Sequence, residues 1–343
     1  MVCATGHENN RAGTQLPLVS VVLPVYNGAA YLREAVDSIL AQTYRSFELI
    51  IINDGSKDDS ASIIAQFDDP RIRSFSQANQ GLAATLNRGI GLAQGAYIAR
   101  QDQDDISLPQ RLEKQVAFLQ AHPEHGMVGS WAGIMVGERG TTRAHRHPAD
   151  DLSLKFELLF TNPFVHSSMM IRREVFSTVG IYATDASRQP PEDFELWSRV
   201  ARAYKVANVP EILVTYREVP HSMSRIGPSP FLEHAVAISA ENIAFITGRP
   251  LDDQDVIDLA ALEHCAYHRF SLRMHLPVVS RLLFEAADKL ARVSGAESGP
   301  VRELARARFD VFRRRYLKYR YGAVAGTVLA FFGKKFKGSM WLS

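Results

Sequence analysis

The first hundred residues alternate between short apolar runs and segments whose apolar residues recur at helical spacing. Residues 18–25 and 47–52 are continuous apolar, β-branched runs, which are typical of strands buried on both faces of a parallel sheet. Apolar residues three and four positions apart in the intervening segments indicate amphipathic helices. The pattern predicts strands at 18–25, 47–52, 72–75 and 96–99 and helices at 31–42, 60–67 and 82–93. Such alternation indicates a doubly wound, mostly parallel α/β sheet.

The pattern then becomes mixed and ends in helices alone. Strands are predicted at 127–136, 165–171 and 212–216, helices at 109–120 and 194–203, and a loop at 140–150. After Pro230 no strand signal remains, and helices are predicted at 231–246, 254–270, 277–293 and 300–320. We therefore predict three parts, which are a disordered lead-in over residues 1–17, an α/β domain over 18–225 and a C-terminal helical region over 226–343.

Polar turns follow three of the predicted strands. They are residues 26–28 after the first strand, 53–56 after the second and 101–105 after the fourth. Because the carboxyl ends of parallel strands meet at one edge of a doubly wound sheet, where ligands bind, we expect the three turns to lie side by side. A nucleotide would bind at this edge.

The third of these turns is strongly acidic. Asp102, Asp104 and Asp105 fall within four residues, directly after a strand that is predicted to be buried. Carboxylates that crowd at a strand end repel one another and are costly to desolvate, and a divalent cation removes both costs. Hard oxygen ligands suit Mg²⁺ or Mn²⁺, which commonly share their coordination sphere with substrate phosphates. The alternative is a solvated acidic turn before the helix at Pro109.

Composition narrows the class of protein. The chain has 343 residues, of which 46% are hydrophobic, enough for one large domain and a smaller appendage. Two cysteines cannot build a disulfide framework, which favours a reducing compartment. The chain shows neither a secretory leader nor an apolar run of the roughly 18–20 residues that a spanning helix needs.

Positive charge is concentrated at the C-terminus. Residues 301–343 carry eleven Lys and Arg against two Asp and Glu, whereas the whole chain has a net charge of only +2. Arginines at 313–315 precede a short apolar run at 323–332, and Lys334, Lys335 and Lys337 follow it. This arrangement favours a segment that lies on an anionic membrane surface, with docking on the protein body as the alternative. No nucleic-acid partner is expected, because the rest of the chain is acidic and shows no nucleic-acid-binding motif.

An ordered set of motifs makes the chain recognisable. Residues 24–27 (PVYN), 53–56 (NDGS), the acidic turn and residues 192–197 (EDFELW) occur in an order and spacing that resemble the family 2 glycosyltransferases over roughly residues 18–225. Further matching segments are residues 79–87 and 162–166, Tyr216-Arg217 and His221. The resemblance implies the GT-A fold, a doubly wound mixed sheet with helices on both faces, followed here by the C-terminal helical region.

The resemblance also implies roles for individual residues. Asp193 would be the general base, and His166 and Glu192 would face the acceptor. Asp104 and Asp102 would bind Mn²⁺ or Mg²⁺, with His221 closing over the metal or the pyrophosphate. The nucleotide of the donor would contact Pro24, Tyr26, Asn27, Asp54, Asn79 and Asp102.

Each motif also has a purely structural alternative. Asp54 suits an ordinary turn before a helix cap, and an acidic pair such as Glu192-Asp193 favours a helix N-terminus through the helix dipole. His166 and His221 have the alternatives of a satisfied, partly buried histidine and a solvated loop histidine.

The implied activity is inverting, metal-dependent transfer of a sugar from a nucleoside-diphosphate-sugar, with a UDP-sugar favoured, to a saccharide or lipid-linked acceptor in cell-surface polysaccharide synthesis. The chain lacks the Gln-x-x-Arg-Trp element and membrane helices of the processive synthases, which favours addition of one or a few sugars. A cytoplasmic protein, peripheral on the cytoplasmic face of the membrane, is expected. The alternatives are a nucleotidyltransferase and a non-catalytic protein that binds a nucleotide-sugar or a membrane.

Overall fold

The computed structural model describes residues 16–219 and 230–336, with side chains as far as residue 322. Within these residues one mixed sheet has the strand order β3-β2-β1-β4-β8-β6-β9-β5, and β7 pairs with β6. The strands are β1 (Val19–Val25), β2 (Phe47–Asn53), β3 (Ile72–Ser76), β4 (Tyr97–Arg100), β5 (Ile106–Ser107), β6 (His125–Val136), β7 (Arg139–His145), β8 (Met170–Arg172) and β9 (Lys205–Glu218).

One half of the sheet is parallel and the other half is mixed. Strands β3, β2, β1 and β4 run parallel, as the alternation of apolar runs and helices predicts. Strand β8 is antiparallel to both β4 and β6, and β9 runs parallel to β6. Every residue of β1 and β2 is buried, which explains why both strands are mostly apolar, with Ser20, Glu48 and Asn53 as the polar exceptions.

Helices cover both faces of the sheet. Val21 and Leu23 of β1 pack into an apolar core with residues of α1 and α4, whereas Val22 belongs to the core on the other face, with residues of α3 and α7. This division follows from the alternation of side chains along a strand. The helices up to the last long strand are α1 (Leu32–Leu40), α2 (Ser60–Ile64), α3 (Leu82–Leu92), α4 (Arg111–Ala121), α5 (Asp151–Glu157), α6 (Arg173–Val179) and α7 (Glu192–Ala203).

The predicted C-terminal helical region is present. It comprises α8 (Phe231–Thr247), α9 (Gln254–Glu263), α10 (Leu276–Val293) and α11 (Ser298–Phe336), with a break in α11 at Gly322, where φ is 77°. Its core takes in Phe156 and Phe160, which precede the helical region in the chain. The division near residue 225 therefore stays a prediction, since one apolar core is built from both sides of it.

Two local predictions are wrong. The polar segment at 140–150 was expected to be a loop, but Arg139–His145 forms β7, an edge strand antiparallel to β6. Its exposed side chains give it no apolar signal. The segment at 165–171 was expected to be a strand, but His166–Ser168 forms a short 3-10 helix and only Met170–Arg172 is strand.

The helices of the described part of the chain are too short or too polar for membrane spans. Residues 1–15, which include most of the predicted lead-in, and residues 337–343 at the end of the basic tail lie outside the described residues.

Candidate active site

The three polar turns lie together, as predicted. Val22 of β1 aligns with Arg100 of β4, and Val25 aligns with Asn53 of β2, so the three strands end at one edge. The backbone N–H of Tyr26 donates to Oε1 of Gln103 at 2.9 Å, and Nε2 of Gln103 donates back to the Tyr26 carbonyl oxygen at 3.1 Å. These two bonds fix the acidic turn against the first turn.

The first and second turns are also joined directly. Asn27, whose φ is 51°, receives the Lys57 N–H on its Oδ1 at 2.8 Å, and its own N–H donates to Oγ of Ser56 at 3.0 Å. Pro24 is buried within β1, whereas the side chain of Tyr26 is 45% exposed at the rim. Of these residues, Tyr26 therefore offers the open surface on which a nucleotide base can stack.

Asp54 is buried and shapes the loop that leads into α3. Its Oδ1 accepts hydrogen bonds from Nε2 of Gln77 at 2.8 Å and from the Gln80 N–H at 2.9 Å, and its Oδ2 accepts from the Gly81 N–H at 2.9 Å. Asn79 is exposed in the same loop. A Cβ on Gly55 would come within 2.9 Å of the Asn79 backbone nitrogen, so the two turns are in close contact.

The three carboxylates of the acidic turn have different surroundings. Asp102 forms an ion pair of 2.5 Å with the buried Arg100 and keeps 29% of its side chain exposed. Burial and, to a smaller extent, the negative charge of Asp102 raise the pKa of Asp104 to about 6. Such a carboxylate gains from a bound cation, so the donor set of Asp104 and Asp102 fits a hard divalent ion.

Asp105 is an internal anchor of this turn. It is fully buried, and it accepts hydrogen bonds from the Ser167 hydroxyl and, at 2.8 Å, from the backbone N–H of Arg217. Burial raises the pKa of its carboxyl well above the usual range. Because its oxygens are used within the protein, Asp105 belongs to the framework of the site.

Arg217, for which no role was predicted, supports the acidic turn from the last strand. Its Nε donates to the backbone carbonyl oxygen of Asp104 at 2.8 Å, and its guanidinium lies 4.2 Å from the centre of the Tyr31 ring and pairs with Glu34. The guanidinium is itself buried. The sequence marks Arg217 only as part of a matching segment, directly after the strand predicted at 212–216.

A second buried arginine lies beneath the turn. Nη1 of Arg111 donates to Oγ of Ser107 at 2.8 Å and to Oε1 of Gln101 at 3.1 Å, and its Nη2 donates to the Arg100 carbonyl oxygen at 2.7 Å. Burial lowers the pKa of Arg111 to about 9. Sequence reasoning missed this network, because Arg111 reads as an ordinary polar residue at the start of α4.

His166 is the first residue of the 3-10 helix and contacts Arg100 and Tyr182. Its Nε2 accepts a hydrogen bond from Nε of Arg100 at 3.3 Å and lies 3.0 Å from the Tyr182 hydroxyl. Burial and, to a smaller extent, the positive charge of Arg100 lower the pKa of His166 to about 3, so the imidazole is neutral. These partners assign the proton to Nδ1.

Asp193 lies in the first turn of α7. Nδ2 of Asn162 donates to its Oδ2 at 2.8 Å, and the Phe194 N–H donates to its Oδ1 at 2.7 Å. Burial and, to a smaller extent, the negative charge of Glu192 raise the pKa of Asp193 to about 7. Burial also raises the pKa of Glu192. The charge of Asp102 also acts on both residues, so they lie within electrostatic range of the acidic turn. His221 lies outside the described residues.

Comparison with known proteins agrees with this geometry. The family described as Glycosyl transferase family 2 matches residues 20–180. An uncharacterized glycosyltransferase of Haemophilus influenzae is 33% identical over 259 residues, covering 72% of this chain and 79% of that protein. The chain belongs to glycosyltransferase family 2. Glycosyltransferase EpsE of Bacillus subtilis is 34% identical over 65% of this chain and 81% of its own length.

Solved structures of glycosyltransferases share the fold. S. aureus TarS 1-349 in complex with UDP-GlcNAc superposes with a TM-score of 0.58 at 19% identity, over 89% of this glycosyltransferase and 92% of the TarS 1-349 chain. Mannosyltransferase PcManGT from Pyrobaculum calidifontis, in complex with GDP-Man and Mn²⁺, gives a TM-score of 0.52 at 18% identity, over 94% and 89% of the two chains. The predicted GT-A fold is thereby confirmed, and this family 2 member is a transferase enzyme.

Proposed function

We propose that this glycosyltransferase is inverting and metal-dependent, and that it moves a sugar from a nucleoside-diphosphate-sugar to a hydroxyl group of a saccharide or lipid-linked acceptor. The observation that carries the proposal is the Asp193 carboxylate, which is half-buried at the start of α7, accepts a hydrogen bond from Asn162 and has its pKa raised to about 7 by burial. A general base is most effective when its pKa lies near the working pH.

The donor is proposed to be a nucleotide-sugar, with a UDP-sugar favoured. TarS, solved with UDP-GlcNAc, and PcManGT, solved with GDP-Man, support this class of donor. The base would stack on the exposed Tyr26 ring between the turns that Asn27 and Asp54 organise. The backbone of Pro24 in β1 and the exposed Asn79 in the loop before α3 would also contact the nucleotide. Asp102, which is partly exposed beside Arg100, would reach the ribose or the metal.

The metal is proposed to be Mn²⁺ or Mg²⁺. Asp104 and Asp102 would hold it, and His221 is a third proposed ligand. When bound, such an ion neutralises the diphosphate and supplies Lewis-acid stabilisation of the leaving group. The pKa of Asp104 is raised because neighbouring groups of the protein do not fully offset the cost of burying its negative charge. A bound cation would offset this cost, which supports a metal at this position.

The chemical step follows from the placement of Asp193. The acceptor oxygen forms a bond to the anomeric carbon while the bond from that carbon to the diphosphate oxygen breaks on the opposite face. The hydroxyl proton passes to the Asp193 carboxylate, and the nucleoside diphosphate leaves with the bonding electron pair. Attack from the face opposite the leaving group inverts the anomeric centre. Glu192 and the neutral His166 are proposed to line the acceptor side of the site.

The membrane partner is also proposed. The start of α11 docks on the protein, since Arg308 pairs with Glu157 and with Glu263, and Phe312 is buried. Further along, Arg314, Lys318 and Arg320 are exposed beside exposed Tyr319 and Tyr321. Exposed cations next to aromatic rings suit the interface of an anionic bilayer. We therefore place the protein on the cytoplasmic face of a membrane, where a lipid-linked acceptor would be within reach.

The test is donor turnover by the full-length protein against a panel of UDP-, GDP- and TDP-sugars, with Mn²⁺, with Mg²⁺ and with a chelator. We expect one nucleotide class to be bound and turned over with metal only. Turnover that releases pyrophosphate from a nucleoside triphosphate instead would indicate a nucleotidyltransferase. Sedimentation with vesicles of anionic and of neutral lipid tests the membrane proposal separately, and equal binding to both would contradict it.

A further inference from the structure

A second group of metal-binding side chains lies at the turn between α4 and β6. His122 is the first residue after α4, Glu124 follows two positions later and His125 begins β6. One possible ligand atom from each of the three side chains lies within 4.8 Å of the other two. Two imidazole nitrogens and one carboxylate oxygen form a donor set that suits Zn²⁺ and related divalent ions better than Mg²⁺.

One of these ligand atoms has no partner within the protein. Nδ1 of His125 is buried without a hydrogen bond, and Oε1 of Glu124 is 3.4 Å from it. Only 12% of the His125 side chain is exposed. A buried polar atom that lacks a partner is uncommon in a native structure and calls for an explanation. A metal ion bound by His125 would satisfy this nitrogen.

The backbone that carries the three side chains is held firmly. The His125 N–H donates to the His122 carbonyl oxygen at 3.1 Å and closes a turn in which Pro123 occupies the second position. Nε of Arg172 donates to the His125 carbonyl oxygen at 2.8 Å, and the Lys205 N–H donates to that of Glu124 at 3.2 Å. Binding a metal therefore requires side-chain movement only.

The charges around the turn are mixed. The Lys205 ammonium lies 3.9 Å from Oε1 of Glu124, but both side chains are about half exposed, so the pair separates readily. The Arg172 guanidinium is engaged by backbone carbonyl oxygens of the α4–β6 connection. In tetrahedral zinc sites the ligand atoms are about 3.3 Å apart, given metal–ligand bonds of about 2.0–2.1 Å. The ligand atoms of this cluster lie within 4.8 Å of one another, and a change of rotamer of the exposed Glu124 side chain can bring its carboxylate to the shorter spacing.

The turn is remote from the catalytic edge. Strand β8 runs antiparallel to β4 and to β6, so β4 and β6 point in the same direction. The acidic turn follows the end of β4, whereas His125 begins β6 and therefore lies at the opposite edge of the sheet.

We propose that His122, Glu124 and His125 form a Zn²⁺ site with three protein ligands and one position open to water or to a further ligand. The ion ties the end of α4 to the start of β6, two elements that pack into the cores of the sheet. Bound zinc then stabilises the native protein by mass action. The site is independent of the proposed catalytic metal, because it has different ligands and a different preferred ion.

The test is Zn²⁺ binding to the full chain after removal of metal, measured by calorimetry in excess Mg²⁺ so that the acidic turn is occupied. We expect one equivalent of Zn²⁺ to bind, an increase in Tm on binding, and visible bands of tetrahedral Co²⁺ when cobalt replaces zinc. His122→Ala should weaken Zn²⁺ binding by more than tenfold. Glu124→Gln is a second, exposed change that should also weaken it. Far-UV circular dichroism confirms that both variants are folded.

Two control variants separate this site from other metal-binding groups. Asp104→Asn removes the proposed catalytic ligand and should leave this Zn²⁺ equivalent in place. The double change of His145 and His147 to Ala removes a second histidine pair, whose rings stack 5.7 Å apart, and should likewise leave it in place. Equal Zn²⁺ affinity in the wild type and His122→Ala, or loss of the equivalent in either control, would overturn the proposal.

Discussion

Arg217 on the last long strand donates a hydrogen bond from Nε to the backbone carbonyl oxygen of Asp104, at 2.8 Å and across 113 residues of sequence. The backbone N–H of the same arginine donates to the carboxylate of Asp105. The position of the acidic turn is therefore set by β9 as well as by the strand that precedes it. Arg217, which belongs to a matching segment but had no predicted role, thus orients the proposed metal ligand.

We expect Arg217→Ala to weaken Mn²⁺ binding and to destabilise the protein by about 2–4 kcal/mol, because a fully buried, multiply bonded guanidinium leaves its partners unsatisfied. Metal titration and urea unfolding measure the two effects. Arg143→Ala is the matched control, since Arg143 is an exposed arginine on the neighbouring hairpin that pairs with Glu218. Its loss should leave Mn²⁺ binding and stability close to those of the wild type, because solvent screens an exposed ion pair. Equal effects of the two changes would remove Arg217 from its positioning role.

Asp193→Asn should abolish sugar transfer while leaving donor binding intact. The amide cannot take the acceptor proton, so we expect kcat to fall by about 10²–10⁴-fold. The Kd for the donor, measured by calorimetry with Mn²⁺, should change by less than about twofold, because the proposed base contacts the acceptor. Asp185→Asn, a change of an exposed carboxylate, is the control and should retain activity. Loss of donor binding in Asp193→Asn would argue against the base role.

The rate of transfer should rise with pH through about 7. Burial raises the pKa of Asp193 to about 7, so the carboxyl is protonated and inactive as a base below that pH and ionised above it. The measurement is kcat against pH at saturating donor and Mn²⁺. Because burial disfavours the ionised form, Asp193 also contributes less to stability as the pH rises through its pKa. A kcat that is flat between pH 5 and 9 would contradict the assignment.

Asp104 and Asp105 should respond in opposite ways to substitution. Asp104→Asn should lose metal-dependent turnover and raise Tm at neutral pH, because it removes an ionised carboxylate that burial disfavours. In the wild type, Mn²⁺ affinity should fall as the pH drops through about 6, where Asp104 takes up a proton in the absence of metal.

Asp105→Ala should instead lower stability by about 2–3 kcal/mol, because the Ser167 hydroxyl and the Arg217 N–H lose their acceptor. Thermal melting and metal titration of the two variants give both results. If Asp105→Ala kept the wild-type Tm, or if Asp104→Asn retained metal-dependent turnover, the division of roles between the two carboxylates would be wrong.

The parallel half of the sheet could be predicted because its signal is local. Mostly apolar runs mark β1 and β2. Because the carboxyl ends of parallel strands lie at one edge of a sheet, residues 26–28, 53–56 and 101–105 could be predicted to lie together. Strand β7 could not be predicted, because its polar and mostly exposed residues give no apolar pattern, and its pairing with β6 is visible only in the fold. The roles of Arg111 and Arg217 also escaped prediction, since both depend on which groups the fold brings to the guanidinium, in the case of Arg217 across 113 residues of sequence.

Donor turnover with and without metal tests the proposed activity most directly. The full-length protein is incubated with UDP-, GDP- and TDP-sugars in Mn²⁺ or in chelator, and proton NMR records the released nucleotide and the anomeric configuration of the first product. We expect turnover of one donor class, a UDP-sugar, only with metal and with inversion at the anomeric carbon, and none for Asp193→Asn. Binding and turnover of no donor in the presence of metal, or retention of configuration, would contradict it.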